Sequence, residues 1–379
     1  MRTSLQRAGD SRKAVIGCLL VCCFESLVGN TASAHAHAIS GTKLLENWVA
    51  QHPYKKLYEV GIASPASHLI EDDIIQTGSF FDSQVAAYLD PRPAHVHAKL
   101  RHEGNETVAQ MPKKFKTVRE AHRYAILIFR RAIHSCREIS ERAGDGRLST
   151  TSDYQILEEG MPSLSLNTVE DPALQNPTGS TDFVAQQRQY SLEAQRWRWA
   201  FGDLYERTKR STNKRDLMAA HSLLALSRAF DVALLCSLDN DNCSCDHLSF
   251  EFQEINSLGR EICQYRKAQN PESEFTFDLS INAALFMSAR FCRERLIRRE
   301  AISLLEGSGM REGYHDSKYV AAMCEKVMML EEGGVETDFI PGIARIRIIE
   351  ETVHPGRRWS SFHYIRGSEE TVRETEFWW

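Results

Sequence analysis

The residues best suited to chemistry in this sequence are short clusters of acids, cysteines and histidines. The run 239–243, Asp-Asn-Asp-Asn-Cys, is similar to the opening of a calcium-binding loop, in which alternating oxygen ligands surround the ion. Such a loop needs glycine at its sixth position and glutamate at its twelfth, where this sequence has Ser244 and Phe250. The pattern therefore excludes a calcium site of this kind and favours an ordinary polar loop.

Two further clusters have suitable metal-binding atoms but unsuitable spacing. Four candidate ligands crowd into five residues, which makes it hard to close a tetrahedron around zinc: Cys243, Cys245, Asp246 and His247. No C-x2-C pair occurs in the sequence, so the common structural zinc arrangements are excluded. Three histidines follow Pro91 and Pro93, and we predict that they lie in a loop without binding metal: His95, His97 and His102.

Signatures of nucleophilic catalysis and of phosphate binding are also missing from the sequence. It contains no G-x-S-x-G, no H-E-x-x-H and no glycine-rich phosphate loop, and the run 307–309, Gly-Ser-Gly, follows a predicted helix and not a strand. The adjacent carboxylates of Glu71, Asp72 and Asp73 point in different directions on a helix, which favours an acidic helix N-terminus over a general acid–base pair. We predict that the chain is not an enzyme and has no catalytic, cofactor-binding or metal-binding residues.

Composition and charge narrow the class of protein. The 379 residues are 42% hydrophobic and carry a formal net charge of -5, which is too apolar and too weakly charged for a disordered chain. A sequence pI near 6.3 argues against a dedicated nucleic-acid-binding protein, which usually has a basic face. Basic residues do collect in 188–216, but Trp197 and Phe201 interleave with them at helical spacing, which favours the solvated face of a packed helix.

The ten cysteines do not have the spacing of a disulfide or zinc framework. Most of them lie inside apolar helical patterns, where a free cysteine behaves as a small hydrophobe, and scattered usage of this kind suits a reducing compartment. Only Cys243 and Cys245 fall in an obvious loop. The cysteines in helical patterns are Cys18, Cys22, Cys23, Cys136, Cys236, Cys263, Cys292 and Cys324.

The N-terminus supports two interpretations. Basic residues before an apolar run at 14–24, followed by small residues at 31–36, have the arrangement of a secretory signal peptide, whose removal would take away residues 1–36. The run is too short to span a bilayer, and with Asp10 and Glu25 at its edges it also suits a buried helix. On the residues alone, a secreted helical protein or enzyme therefore stays an alternative.

Helical periodicity dominates the rest of the sequence. Gly29-Asn30 ends a first buried helix, and so short a turn predicts that the second helix packs antiparallel to the first. Thr117 followed by Glu120 is a capping-box pattern that marks the start of a later helix. The predicted helices span 12–29, 31–51, 68–88, 117–143, 181–210, 213–236, 249–268, 280–291, 293–306 and 316–332.

The chain divides into four predicted parts. Residues 1–143 and 181–340 form two helical parts of one domain, separated by 144–180, whose Gly, Ser, Thr, Pro and acid content indicates a flexible linker or insertion. Residues 341–379 hold a predicted β-hairpin around the turn at 354–357, followed by an aromatic tail that docks on a partner or frays. The predicted fold is mainly α, an antiparallel helical bundle or helix-hairpin array with this small C-terminal β-hairpin.

A set of segments spread along the chain forms a specific combination. They are residues 18–25, 29–30, 34–48, 70–77, 88–93, 275–278, 285–286, 292–293, 297–305 and 311–313. Together these segments resemble the helical regulatory region of fungal zinc-cluster transcription factors, in the group related to regulators of aspercryptin-type secondary-metabolite clusters. The chain departs from that group at 282–284, where a proline is common, and at 314–315, where a tryptophan is usual.

The resemblance implies a regulatory domain concerned with transcription regulation of secondary metabolism, in the nucleus or shared between nucleus and cytoplasm. In that family a six-cysteine cluster holding two zinc ions precedes the regulatory region and binds DNA. The thirteen residues ahead of the first resembling helix contain no cysteine. We therefore expect no cofactor, no direct DNA binding and no membrane association, and action through protein partners of the transcription machinery, a related factor or a small-molecule effector.

Overall fold

Helix-forming patterns account for most of the observed structure. A computed structural model of the protein describes residues 2–52, 57–88, 92–142, 179–236, 244–269, 274–277, 280–313 and 315–379. This part of the chain is mainly α-helical with two small sheets, which confirms the predicted fold class. The predicted linker at 144–180 lies outside the described residues, apart from its last two.

The N-terminal half begins with a helical hairpin. Asn30 caps the second helix, because its Oδ1 accepts the N–H of Ser33 at 3.3 Å. At the predicted capping box, Thr117 Oγ1 accepts the N–H of Glu120 at 3.1 Å, while the Glu120 carboxylate accepts the N–H of Lys116 at 2.7 Å. The helices of this half are α1 (Arg2–Leu27), α2 (Thr31–Val49), α3 (Asp72–Tyr88), α4 (Ala94–Leu100), α5 (Asn105–Ala109) and α6 (Val118–Arg142).

The helices of the second half match their predicted ranges to within about two residues at most ends. They are α7 (Gly179–Arg210), α8 (Lys214–Cys236), α9 (Ser249–Gln269), α10 (Ile281–Phe291), α11 (Arg295–Ser308) and α12 (Ser317–Glu332). The larger differences lie near the N-terminus, where α1 begins at Arg2 and α3 at Asp72. In addition, the short helices α4 and α5 occupy a segment that the sequence pattern predicted as a loop.

Two small sheets complete the fold. Strand β1 (Glu274–Thr276) pairs parallel with β2 (Met310–Glu312), and β2 pairs antiparallel with β3 (His315–Asp316). The predicted C-terminal hairpin is confirmed as β4 (Ile346–His354) and β5 (Trp359–Arg366). The aromatic tail, predicted to dock on a partner or fray, forms a third strand, β6 (Arg373–Trp378), antiparallel to β5.

The helix α8 lies between the two largest hydrophobic clusters. It contributes Leu223 to a cluster centred on α6 and α7, and Ala225 to a second cluster made by α9 to α12 and the C-terminal sheet. A helix buried from both sides is apolar around its circumference. For this reason α8 is the helix, among those the structure describes, that has the length and composition of a membrane span, although 56% of that window is buried inside the fold.

Candidate functional site

One side of α1 is apolar and faces outward. Leu20 and Phe24, one turn apart, are 62% and 61% exposed. Gly17 lies one turn earlier on the same side, with open space where a β-carbon would project. Contiguous exposed apolar patches on folded proteins mark sites of interaction with other proteins or with membranes. We call it the α1 stripe, and its members are Gly17, Leu20, Val21, Phe24, Leu27 and Val28.

The opposite side of α1 fixes the helix to the fold. Val15 and Cys22 are fully buried against the neighbouring helices. Near the middle of the helix, Arg12 forms a bidentate ion pair with Glu71, with N–O distances from 2.6 to 3.1 Å. Near its C-terminal end, Arg311, from β2, donates to the carbonyl oxygen of Ser26 at 2.5 Å. The α1 stripe is therefore presented by an anchored helix.

The prediction of a buried helix at 12–29 is therefore wrong for one of its faces. The run from 16 to 24 is apolar on all sides, and such a pattern favours complete burial. Within the described residues, the elements that pack on α1 cover only the face carrying Val15 and Cys22. With respect to the part of the chain that the structure describes, Leu20, Val21 and Phe24 on the other side stay exposed.

A cleft of about 370 Å³ opens between α7, α8 and the short 3-10 helix Asp246–Leu248. This volume falls within the range of about 300–1,000 Å³ that is usual for small-ligand sites. Its polar lining comprises Gln187, Arg188, Ser191, Arg198, Asp231 and His247. Its apolar lining comprises Leu192, Leu234, Leu235 and Leu248. The mixture suits a ligand that has both an apolar body and a polar group.

The charges of the cleft favour an anionic group on such a ligand. Arg198 Nη1 lies 2.8 Å from Asp231 Oδ2 and donates to Ser227 Oγ at 2.9 Å, so this cation is already paired. Burial raises the pKa of Asp231, although the nearby Arg198 opposes the rise. Arg188 and His247 add further basic groups to the lining, beyond the paired guanidinium.

A buried polar network joins α3, α4 and α6. Asp82 pairs with Arg130 Nε and Arg92 Nη2, both at 2.6 Å, and with His134 Nε2 at 3.0 Å. Burial disfavours ionised Asp82, but the charges of Arg130, His134 and Arg92 outweigh it and hold the pKa well below its usual range. Burial lowers the pKa of His134, although the nearby Asp82 opposes this. The Nε2–H of His134 donates to Asp82, and its Nδ1 lies 3.0 Å from Nδ1 of His97, whose Nε2–H donates to the carbonyl oxygen of Arg92 at 3.2 Å. This network ties three helices together.

A second buried network surrounds Glu331 in the C-terminal half. Its carboxylate accepts from Arg290 at 3.3 Å, from Arg345 at 3.1 Å, from Arg298 and from the N–H of Ile346 at 3.0 Å. Burial opposes ionisation of Glu331, but the three guanidinium groups, led by Arg345, lower its pKa. Arg298, on α11, is fully buried in this network.

Glu312 has a role that no sequence pattern indicated. Its buried carboxylate, at the end of β2, accepts the backbone N–H groups of Ser280 at 2.9 Å, Asn282 at 3.0 Å and Ala283 at 3.4 Å. These donors lie at the start of α10, where helix N–H groups have no partner within the helix. Burial raises the pKa of Glu312, while the three N–H groups favour its charged form. An internal carboxylate therefore caps this helix.

The loop that contained candidate metal ligands is only partly described, since residues 237–243 lie outside the described part of the chain. Cys245 is buried in an apolar cluster with Leu248 and Phe252, and Asp246 forms an ion pair with Arg293. Among the residues that are described, no group of three or more His, Cys, Asp or Glu side chains is arranged to hold a metal ion.

Two of the three histidines after Pro93 lie in a helix and not in a loop, which corrects the prediction for them. His95 and His97 belong to α4, where His95 is exposed and His97 is buried in the Asp82 network. His102 lies in the turn that follows α4. The structure thus separates these side chains, and only His97 joins a buried polar group.

The acidic and basic segments behave as their patterns predicted. Asp72 and Asp73 lie in the first turn of α3, and Asp72 Oδ1 accepts the N–H of Ser64 at 2.8 Å. In the basic segment, Trp197 is buried while Trp199 is 73% exposed on the solvent side of α7. Both observations agree with a charged helix end and a solvated helix face.

Comparisons with known proteins identify no relative. The chain matches no family model, no curated protein and no solved structure. The resemblance to zinc-cluster transcription factors accordingly remains a prediction from the sequence segments alone.

Proposed function

We propose that this chain is a non-catalytic regulatory module, related to the regulatory region of fungal zinc-cluster transcription factors, that acts by pairing with a second copy of itself. The observation that carries the proposal is the α1 stripe, since Leu20 and Phe24 are exposed on a helix that is held to the fold at Arg12 and Ser26. The proposal entails a nuclear or nucleocytoplasmic protein that regulates transcription through protein contacts, without binding DNA itself.

The stripe is complementary to an antiparallel copy of itself in shape. When residue 20 faces residue 21 of the other copy, Phe24 of each copy faces Gly17 of the other. The open space above Gly17 then receives the exposed ring of Phe24. Leu20 packs against Val21 of the other copy at the centre of the contact, as in an antiparallel pair of helices.

Charge also favours this orientation. The stripe runs between Lys13 and Glu25, twelve residues apart, a distance of about 18 Å along a helix. Antiparallel pairing sets the cationic end of each stripe beside the anionic end of the other, whereas parallel pairing sets like charges together. The opposed helix dipoles favour the same arrangement. We therefore assign a second copy, in antiparallel orientation, as the occupant of the stripe.

Self-association can be tested by sedimentation velocity on the full chain. A surface this small should give a dimer that dissociates within a concentration range of about 1–100 µM. Phe24→Glu should make the protein monomeric throughout, because it places two charges in the contact. Phe250→Glu is the matched control, since Phe250 is 66% exposed outside the stripe, and it should leave the dimer intact. A wild-type protein that is monomeric at every concentration contradicts the proposed pairing.

The regulatory role needs a second experiment. We expect the full chain, fused to a heterologous DNA-binding domain, to change expression of a reporter gene, and Phe24→Glu to reduce that change more than Phe250→Glu does. The unfused chain should show no retention of duplex DNA at physiological salt. An unchanged reporter argues against transcriptional regulation, and tight DNA binding by the unfused chain argues against a module that works through protein contacts.

A second candidate role, compatible with the first, is binding of a small effector in the cleft between α7 and α8. Its lining of Leu192, Leu234 and Arg188 fits an apolar molecule that carries a carboxylate. Medium-chain fatty acids and aromatic carboxylates should raise the melting temperature of the wild type, because they bind the native state. Arg188→Ala should remove the shift, and Arg210→Ala, on the same helix outside the lining, should retain it. Unchanged melting temperatures contradict this role.

A further inference from the structure

Two cysteine side chains meet beside the cleft. Cys236 is the last residue of α8, and Cys245 immediately precedes the 3-10 turn Asp246–Leu248. Their sulfur atoms are 2.9 Å apart, about 0.9 Å longer than the roughly 2.05 Å bond of a disulfide. Both thiols are free in the structure. A small movement of either side chain is therefore enough to bring the sulfurs to bonding distance.

The two thiols of the pair differ in exposure to solvent. Cys245 is 1% exposed, packed with Val232, Leu248 and Phe252. Cys236 lies partly exposed at the edge of the same cluster. A reagent from solution therefore reaches the sulfur of Cys236 first, while the sulfur of Cys245 is shielded from solvent.

A third cysteine, Cys292, is buried in the same apolar cluster, but its sulfur is not hydrogen-bonded to Cys236 or Cys245. That sulfur interacts with the carbonyl oxygen of Glu294 at 4.0 Å. Cys245 has a further contact with the carbonyl oxygen of Val232 at 3.8 Å, which holds its sulfur beside the end of α8. The geometry therefore selects Cys245 as the partner of Cys236.

We propose that Cys236 and Cys245 form a reversible thiol-oxidation site whose co-reactant is a low-molecular-weight disulfide, such as oxidised glutathione. The Cys236 thiolate attacks one sulfur of that disulfide, which forms a mixed disulfide and releases one small thiolate. The Cys245 thiolate then attacks the Cys236 sulfur, which forms the Cys236–Cys245 bond and releases the second small thiolate. The two protons lost by the protein thiols protonate the two leaving groups, and the small disulfide gains the two electrons that the protein loses.

The electrostatics indicate a slow modification site and not a catalytic dithiol. The hydrogen bond with Cys245 and burial raise the pKa of the Cys236 thiol, against the opposing charges of Arg345 and Arg290. Because the thiolate is the reacting form, its low population at neutral pH slows the first attack. The bridge, once formed, links the end of α8 to the turn that carries His247 and Leu248, two residues of the cleft lining.

The site can be tested by mass spectrometry on the full native chain. The protein is equilibrated with mixtures of reduced and oxidised glutathione, free thiols are alkylated, and a protease that cuts before aspartate separates the two cysteines at Asp239 and Asp241. We expect oxidising mixtures to yield a Cys236 peptide joined to the peptide that contains Cys245, with two hydrogens lost, and reducing mixtures to release it. Far-ultraviolet circular dichroism before digestion checks that the protein is folded.

Variants identify the partner, because Cys243 and Cys245 remain on the same peptide. Cys245→Ser should abolish the joined peptides, whereas Cys243→Ser should retain them. Cys263→Ser is the control for loss of a buried cysteine outside the cluster of Cys245, and it should also retain them. Cys245→Ala serves in place of the serine variant if that variant does not fold. The proposal is overturned if Cys236 stays fully alkylated in oxidising mixtures, or if it becomes joined through Cys243 or Cys292.

Discussion

The buried carboxylate of Glu331 offers the sharpest test of how the C-terminal half is held together. The substitution Glu331→Gln preserves the shape of the side chain and removes its charge. Arg298 and Arg345 donate to one oxygen of the carboxylate, and Arg290 and the N–H of Ile346 donate to the other. Whichever way the amide turns, its NH2 group faces two donors.

The magnitude follows from burial. All three guanidinium groups are at least nine-tenths buried, so water does not replace the lost acceptor. Removing one partner of a buried ion pair costs about 3–5 kcal/mol, because the remaining charge stays desolvated. Glu369 at the surface pairs with Arg373, and both side chains are more than 40% exposed. For Glu369→Gln we expect a loss below about 1 kcal/mol.

The assay is urea unfolding at neutral pH, followed by circular dichroism and by tryptophan fluorescence. The free energy of unfolding of the C-terminal half should fall by about 3–5 kcal/mol in Glu331→Gln. The pH dependence gives a check of sign, because the pKa of Glu331 is lowered by folding. Its stabilising contribution is present above the usual value of 4.5 and is lost as the pH falls through the folded pKa. Equal urea midpoints for Glu331→Gln and Glu369→Gln would contradict the expected cost of leaving three buried arginines without their acceptor.

Three further predictions concern other parts of the fold. Trp197→Ala should cost about 3–5 kcal/mol in thermal or urea unfolding, because it removes a fully buried ring, whereas Trp199→Ala, at an exposed position, should change stability by less than about 0.5 kcal/mol. Gly61→Ala should lower the melting temperature of the protein more than Gly334→Ala does. Both glycines have positive φ, but a β-carbon at Gly61 would lie 2.7 Å from the backbone of α6, whereas one at Gly334 would meet open space. Equal melting temperatures of the two variants contradict this prediction. Folding lowers the pKa of His134 from 6.5, so the unfolded state binds more protons below that pH. The melting temperature should therefore fall as the pH drops from about 6.5, and His134→Gln should flatten this pH dependence. An unchanged pH dependence in the variant contradicts the role given to His134.

Much of the secondary structure was predictable because its determinants are local. Asn30 and Thr117 are capping residues whose side chains bond to backbone groups three residues away, so their effect is visible in a short window of sequence. The apolar spacing of the helices is similarly local. Residues such as Trp197, buried at helical spacing among basic residues, followed the same rule.

The errors arose where burial depends on distant parts of the chain. Arg298 has a charged side chain, for which a local pattern predicts exposure, and it is buried because Glu331 and the carbonyl oxygen of Ala289 accept its N–H groups. His97 looked like a loop residue after two prolines, and it is buried because His134 on α6 packs against it. In both cases the missing information was the position of a residue more than thirty places away.

The candidate sites likewise depend partly on local sequence and partly on the packing of distant elements. The helical class, most helix positions and the absence of familiar catalytic and metal-binding motifs were predictable, because these depend on composition and short-range spacing. The packing of the described elements covers α1 on one side and leaves Leu20 and Phe24 exposed. It also decided that the sulfurs of Cys236 and Cys245 lie 2.9 Å apart across a turn, although the cysteines had been expected to be scattered. Exposure and the meeting of side chains are properties of packing, and packing is fixed by contacts between elements that no local pattern contains.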